Sequence, residues 1–172
     1  AFEDMRVRLR DRMEDLSLLL EVSQALSSTL ELQEGVPFIL EGALHATRAQ
    51  VARIVLLSAD GAPYITMSRG EPQGNVKALD EALAKAARGV DRPLVVENLS
   101  RAKSLADPGV VEGSIKAVVA LPIETRRQVP AVMWVGYDTV RQFDDSDIDF
   151  LSTLAGQTAV LVENARLFQS AE

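Results

Sequence analysis

Along the first 30 residues apolar side chains recur at alternating spacings of 3 and 4. Phe2, Leu9, Leu16, Ser23 and Leu30 share one heptad position, and Met5, Arg12, Leu19 and Leu26 share the other, which is the seam of a coiled coil. Arg12 and Ser23 interrupt the seam, and Met13, Leu18, Leu20 and Val22 lie off it. Before Leu16 the pattern predicts a parallel partner helix; beyond it, packing on the chain's own domain competes on equal terms. Pro37 suits the first turn of a second, shorter helix over about 35–47, where its missing N–H costs nothing. Gly42 weakens that helix without forbidding it.

The period then changes. "ARIVLLSADGAPYITMS" carries β-branched and apolar runs on either side of Asp60-Gly61, a strong hairpin signal, and predicts strands near 52–58 and 63–69. In "NVKALDEALAKAARG", Val76, Leu79, Leu83 and Ala87 line one helical face and Gly89 supplies a C-cap. "RPLVVEN" reads as a short strand, and "LSRAKSLADPGVVEGS" as a connection long enough to suggest a functional loop. "IKAVVALPIET" and "QVPAVMWVGYD" are apolar on successive residues, so both sheet faces are expected to be covered.

The last helix opens at "FDDSDIDF", with Asp144 as N-cap and an acidic first turn at the positive end of the helix dipole. Ile148, Leu151, Ala155, Thr158, Val162 and Ala165 form one apolar stripe; Phe150, Leu154, Leu161 and Phe168 form a second. The stripe of Phe150, Leu154, Leu161 and Phe168, or its neighbour, is expected on the sheet and first helix, leaving the other for a partner chain. Val160, Val162 and Leu167 blur the two, so periodicity does not choose between them. Helices at both ends with strands and a short helix between make an α+β pattern.

Composition narrows the chemistry. The 172 residues are 47% hydrophobic and 25% charged, enough for one globular core with helical extensions. A formal charge of −7 with no Lys/Arg-dense stretch argues against nucleic acid or an anionic membrane surface as direct partner. With no cysteine there is no disulfide, thiolate metal site or thiol nucleophile. His45 alone cannot build a histidine metal cluster, and Ser/His/Asp machinery has little to draw on. No apolar run is long enough to span a bilayer, and no signal-peptide pattern opens the chain.

The stretch from "SIKAVVALPIE" through "AVMWVGYDTVRQFDDSDIDFLSTLAGQTAVLVENARLF" resembles the GAF domain, a small-molecule sensory fold related to PAS domains. Ser114, Pro122, Phe143, Asp147, Leu151, Leu154, Ala155, Gln157 and Glu163 to Phe168 stand where family members repeat the same residue types. "LLLEVSQALSSTLELQEGV" is similar to the usual lead-in helix, and the resemblance covers about 16–170. It implies an α+β fold with a central antiparallel sheet of five to six strands, sandwiched between the terminal helices and a ligand-side layer of helix and loop. "AFEDMRVRLRDR" resembles the end of a HAMP domain, with Glu3 where Asn is usual. The expected division is a signalling helix over 1–30, of which 1–12 resembles HAMP, a GAF core over 31–147, and a C-terminal signalling helix over 148–172.

Departures from the family pattern remove several ligands. Cyclic-nucleotide-binding members share an Asn-Lys pair and Phe-x-x-x-Asp-Glu; Phe143 and Asp147 are present, but Ile148 replaces the Glu and the Asn-Lys pair is missing. Covalent bilin attachment and the sulfoxide-reductase activity found on this fold both need Cys. Haem needs an axial His, and His45 precedes the first strand, away from the expected pocket. The expectation is therefore no cofactor.

In the family, ligands lie on the sheet face opposite the terminal helices, here under about 75–115. Trp134 could wall a pocket or stack on a flat ligand, and an ordinary core tryptophan is the plainer alternative. Ser68, Arg69, Asn98, Ser100, Arg101 and Ser104 are the candidate polar lining. Arg69 or Arg101 could pair with a carboxylate or phosphate, although either serves as readily as a solvated surface charge. Capping accounts for Asp144, Asp145 and Asp147 without a metal. The expected function is a non-catalytic sensory domain of a bacterial two-component signalling protein. It would sit in the cytoplasm, with the membrane reached only indirectly through a longer protein. It would bind an unknown small molecule, form a homodimer through Met5, Leu9, Leu16, Leu19, Leu161 and Phe168, and signal to an output such as a histidine kinase. The alternative is a ligand-free spacer that dimerises and relays.

Overall fold

The computed structural model describes Leu16, Leu20 and residues 31–58, 60–70, 76–87, 90–102, 113–123 and 131–169. The HAMP-like stretch, Met5, Leu9, Leu19, Gly89 and Ser104 lie outside the described residues.

Five strands form one antiparallel sheet: β1 (Val51–Leu57), β2 (Pro63–Gly70), β3 (Leu94–Val96), β4 (Ala117–Ile123) and β5 (Ala131–Tyr137), in the order β2-β1-β5-β4-β3. The last strand in sequence therefore occupies the centre, with Arg53 of β1 opposite Trp134 and Ile54 opposite Met133. At the β1–β2 hairpin Gly61 takes φ +84°, and the Ser58 N–H donates to the Ala62 carbonyl at 2.9 Å. Gly70 ends β2 at φ +102°, where a Cβ would come within 2.2 Å of the Gln50 carbonyl oxygen. Only glycine fits there.

Successive side chains point to opposite faces of a strand, and here each face has its own core. Ala52, Ile54, Leu56, Val119, Leu121, Met133, Val135 and Tyr137 meet helix α1 (31–47) and helix α3 (Asp145–Gln169). Val51, Val55, Leu57, Val118, Ala120, Val132 and Trp134 meet helix α2 (Val76–Ala86). This two-sided burial is why the strands read as unbroken apolar runs.

Val36, Leu40, Ala43 and Thr47 are the buried face of α1. The helix is already formed at residue 31, so Pro37 lies inside it and not in its first turn. An interior proline loses one backbone bond and costs about 3 kcal/mol. Burial of side chains such as Val36 and Leu40, about 1.5–3 kcal/mol each, offsets that loss. Arg48, at φ +59°, supplies the left-handed residue that stops α1.

In α3 the stripe on the core is that of Leu151, Ala155, Thr158 and Val162, all buried, and not that of Phe150, which is exposed; Leu154 and Leu161 pack half-buried beside it, because the sheet lies under the first stripe. Leu161 lies against Gly35 of α1, where a Cβ would approach its Cδ1 to 2.9 Å. The two terminal helices thus touch. Asp144 caps α3 by accepting from the Asp147 N–H at 2.9 Å and the Ser146 hydroxyl at 2.8 Å. These bonds, the backbone one foremost, hold the Asp144 carboxyl below its ordinary range.

Arg141 joins several elements at one end of the sheet. Its guanidinium stacks on the Tyr137 ring at 4.6 Å and the Phe143 ring at 5.5 Å, donates to the Thr47 carbonyl at the end of α1, and lies 3.6 Å from Asp147 in α3. Its backbone N–H donates to the Glu97 carbonyl at 3.1 Å, just beyond β3.

Candidate functional site

A cleft of about 800 Å³ opens on the α2 side of the sheet, lined by Arg53, Asp60 to Pro63, Thr66, Val76, Lys77, Asp80, Glu81 and Lys85. Its size is that of a small-molecule pocket. The β1–β2 hairpin forms one wall and α2 the other. Lys77, Glu81 and Lys85 follow one another at helical spacing along the rim, all exposed.

The floor is a buried polar cluster. Asp80 sits on the inner face of α2 beside Leu79 and Leu83 and is 4% exposed. The Arg53 Nε–H donates to its Oδ1 at 3.0 Å and an Nη2–H donates to its Oδ2 at 2.6 Å. The Trp134 indole N–H donates to Oδ1 at 2.8 Å. A bidentate Arg–carboxylate pair with the remaining carboxylate capacity taken by an N–H is what makes a buried ion pair tolerable. Trp134 can lie in this position because the next residue but one, Gly136, has no side chain. A Cβ there would meet Trp134 Cζ3 at 2.9 Å, Val51 Cγ1 at 3.0 Å and Ile115 Cδ1 at 3.1 Å.

The residues expected to line a site are dispersed. Trp134 is wholly buried and reaches the cleft through Asp80. Ser68 stands opposite Arg53 on β2, hence on the cleft face, and is half-buried. Arg69, the next residue, points to the other face, where its Nε is 3.8 Å from Glu41 of α1. Asn98 uses its side-chain oxygen to accept from the Ser100 N–H at 3.1 Å and the Ser100 hydroxyl at 2.6 Å, capping the 3-10 turn Leu99–Arg101. Arg101 is exposed in that turn and does not line the cleft. His45 is exposed on α1, on the opposite side of the sheet. Among the described residues no cluster of three His, Cys, Asp or Glu could hold a metal.

Sequence reasoning passed over Arg53, Asp80, Thr66, Lys77, Glu81 and Lys85. Two signals could have found the floor: a lone Arg inside the apolar run "VARIVLL", and a carboxylate one helical turn after Val76 on the inner face of α2. A charge in either place needs a partner.

One antiparallel sheet, with its terminal helices on one face and a cleft under a short helix on the other, defines a three-layered α+β domain built on a single sheet. The GAF domain family profile matches residues 29–163, and the chain belongs to that family. It is 28% identical over 158 residues to a Salmonella typhimurium protein, "Phosphoenolpyruvate-dependent phosphotransferase system", a match covering 88% of this chain and 21% of that one. The Escherichia coli protein of the same name matches at the same identity and coverage. The chain therefore spans about a fifth of the length of these curated relatives. Among solved structures, the GAF domain of an Acinetobacter phosphoenolpyruvate-protein phosphotransferase superposes with a TM-score of 0.62 at 17% identity, over 86% of this chain and 95% of that one. A domain from Sinorhizobium meliloti, described as that of a two-component sensor histidine kinase, gives 0.61 at 23%, over 81% and 95%. At these identities the structural likeness speaks to the fold. No helix among the described residues is long and apolar enough to cross a membrane.

Proposed function

We propose that this chain is a non-catalytic sensory domain that takes a small molecule into the cleft and passes the change of state through α1 and α3 to an output domain elsewhere in a longer protein. The observation that carries this reading is the two-faced sheet. The cleft and its polar floor lie on one face, and α1 and α3 pack on the other. A ligand that shifts α2 or β5 presses on a sheet the terminal helices share, and a coupling of about 1–3 kcal/mol is enough to bias two arrangements of such a helix pair.

Likeness to phosphotransferase-system proteins and to a sensor histidine kinase domain supports an output that transfers phosphoryl groups. The exposed side chains of Phe38 and Val160, at 77% and 58%, favour a partner chain against the terminal helices. They also support a second reading, in which the domain dimerises and relays without any ligand.

Native mass spectrometry and thermal-shift screening against a metabolite collection separate the two. A reproducible adduct, with slowed amide exchange in α1 and α3 on binding, is the expected result. An empty cleft and an unchanged melting profile across the collection would leave only the ligand-free relay.

A further inference from the structure

We propose that the cleft is an oxyanion site, taking a small molecule whose carboxylate or phosphate head seats on Arg53 with Lys77 and Lys85 over it. The proposal rests on the cleft being a ligand site and adds what the ligand must carry.

A guanidinium has five N–H donors, arranged as a side-on fork and an end-on fork. Asp80 occupies the side-on fork through Nε and Nη2. The end-on fork, Nη1 with the second Nη2 hydrogen, has no hydrogen-bond partner among the described residues, on a side chain that lines the cleft. Asp80 is nearly exhausted as an acceptor, taking three N–H groups between its two oxygens. The buried floor thus has donors to spare and almost no acceptor capacity. Its complement is a group that accepts two parallel hydrogen bonds, which is the geometry of a carboxylate or phosphate.

Charge agrees with this at the depth that matters. Within the lining, Asp80 offsets Arg53, which leaves Lys77 and Lys85 against Asp60 and Glu81. Asp60 accepts from the Ala62 N–H and the Ser58 hydroxyl within its own hairpin turn. Glu81 is exposed on the rim together with Lys77 and Lys85, and solvent screens all three alike, so the less exposed Arg53 carries the weight of the recognition. Arg53, its side chain 15% exposed, is the ionised lining group held least in water apart from Asp80 itself. Asp80 and Trp134 hold its fork in place before a ligand arrives, which lowers the ordering cost of binding. Pro63, Ala62 and Val76 supply apolar wall for the rest of the molecule.

Titration of the 172-residue chain at constant ionic strength tests the proposal, read by calorimetry and by emission of the single Trp134. The probes are acetate, succinate, inorganic phosphate and glycerol phosphate, with glycerol and succinamide as neutral counterparts. At least one oxyanion is expected to bind in the millimolar range or tighter. Its affinity should fall about 10-fold or more in Arg53→Lys, which keeps the charge but loses the fork, and several-fold in Lys77→Gln/Lys85→Gln. Because Arg53 variants leave Asp80 buried without its partner, Arg53→Met/Asp80→Leu serves as the folded control, and it should not bind the oxyanion. Carboxylate and phosphate sources separate by which probes compete. If a neutral probe binds and Thr66→Trp blocks it while no oxyanion binds, the oxyanion class is wrong and the cleft remains a ligand site. If no oxyanion binds at up to about 50 mM, or if binding is unchanged in both Lys77→Gln/Lys85→Gln and Arg53→Met/Asp80→Leu, the proposal is overturned.

Discussion

Asp80 holds the cleft floor through three hydrogen bonds, and its removal strands three N–H donors on two side chains, Arg53 and Trp134. Asp80→Ala is expected to destabilise the fold by about 3–5 kcal/mol, because breaking a buried pair uncovers the other charge. Urea unfolding followed by Trp134 emission measures it, and Asp80→Asn should cost less, since an amide oxygen still serves one of the donors. Tyr137 is the converse case. It is buried on the terminal-helix face, and no described residue meets its hydroxyl in hydrogen-bonding geometry; the nearby Thr47 hydroxyl donates to the Ala43 carbonyl at 2.6 Å. Burial raises its pKa, opposed more weakly by Thr47 and the Arg141 charge. A raised folded pKa means stability is intact below the unfolded value of about 10 and declines as pH rises above it. Tyr137→Phe should change stability near neutrality by less than about 1 kcal/mol, since no protein hydrogen bond is lost, and should flatten the alkaline part of a stability-against-pH curve. Asp144 works in the acid range with the opposite sign. Its lowered pKa contributes stability above the unfolded value, lost as pH falls through the folded one. Asp144→Ala should melt earlier at neutral pH and show a shallower loss below about pH 4.

At the scale of elements, β5 is the strand with least freedom. It pairs on both sides, is buried along its whole length, and carries Trp134 over the bare backbone of Gly136. Gly136→Ala is expected to cost about 1–3 kcal/mol by overpacking, seen as a lower urea midpoint with an unchanged slope. Strands β1 to β5 and helices α1, α2 and α3 were legible from periodicity, because apolar runs, Asp60-Gly61 and the Asp144 cap are local signals. Two element-level features were not. Pro37 reads locally as a helix start, and only the burial of Val36, Leu40 and Ala43 on the sheet shows why the helix runs through it. The two stripes of α3 are equally apolar, and Leu151, Ala155 and Val162 are on the core because of where the sheet lies. The sequence alone does not contain that direction.

For the whole molecule, the sequence carried the family further than the site. The GAF resemblance rests on a long C-terminal run of matched positions, which a profile over 29–163 bears out. The floor joins Arg53, Asp80 and Trp134 from three elements separated by 27 and 54 residues, and no local pattern announces such a meeting. We expect the chain to dimerise through its terminal helices. Light scattering should report a dimer, and Phe38→Glu with Val160→Glu should shift it toward monomer at little cost to folding, since both side chains are exposed within one chain. A monomer at high micromolar concentration would sink that expectation.

The Arg141 cluster gives this helix pair a fixed end. It ties the last turn of α1 to the first turn of α3, and the partners Gly35 and Leu161 touch farther along. Both helices therefore leave the same pin and run together toward residues 31 and 169. At 1.5 Å per residue, the 25 residues of α3 make an arm about 36 Å long. A tilt of roughly 5° about the pin carries its far end about 3 Å. On the proposed sensory reading, displacements too small to disturb the sheet's hydrogen bonds would reach the helix ends as shifts the size of a side-chain contact. In mechanical terms Arg141 would then be a fulcrum, and on that reading its loss should blunt the transmitted shift while leaving ligand binding in the cleft intact.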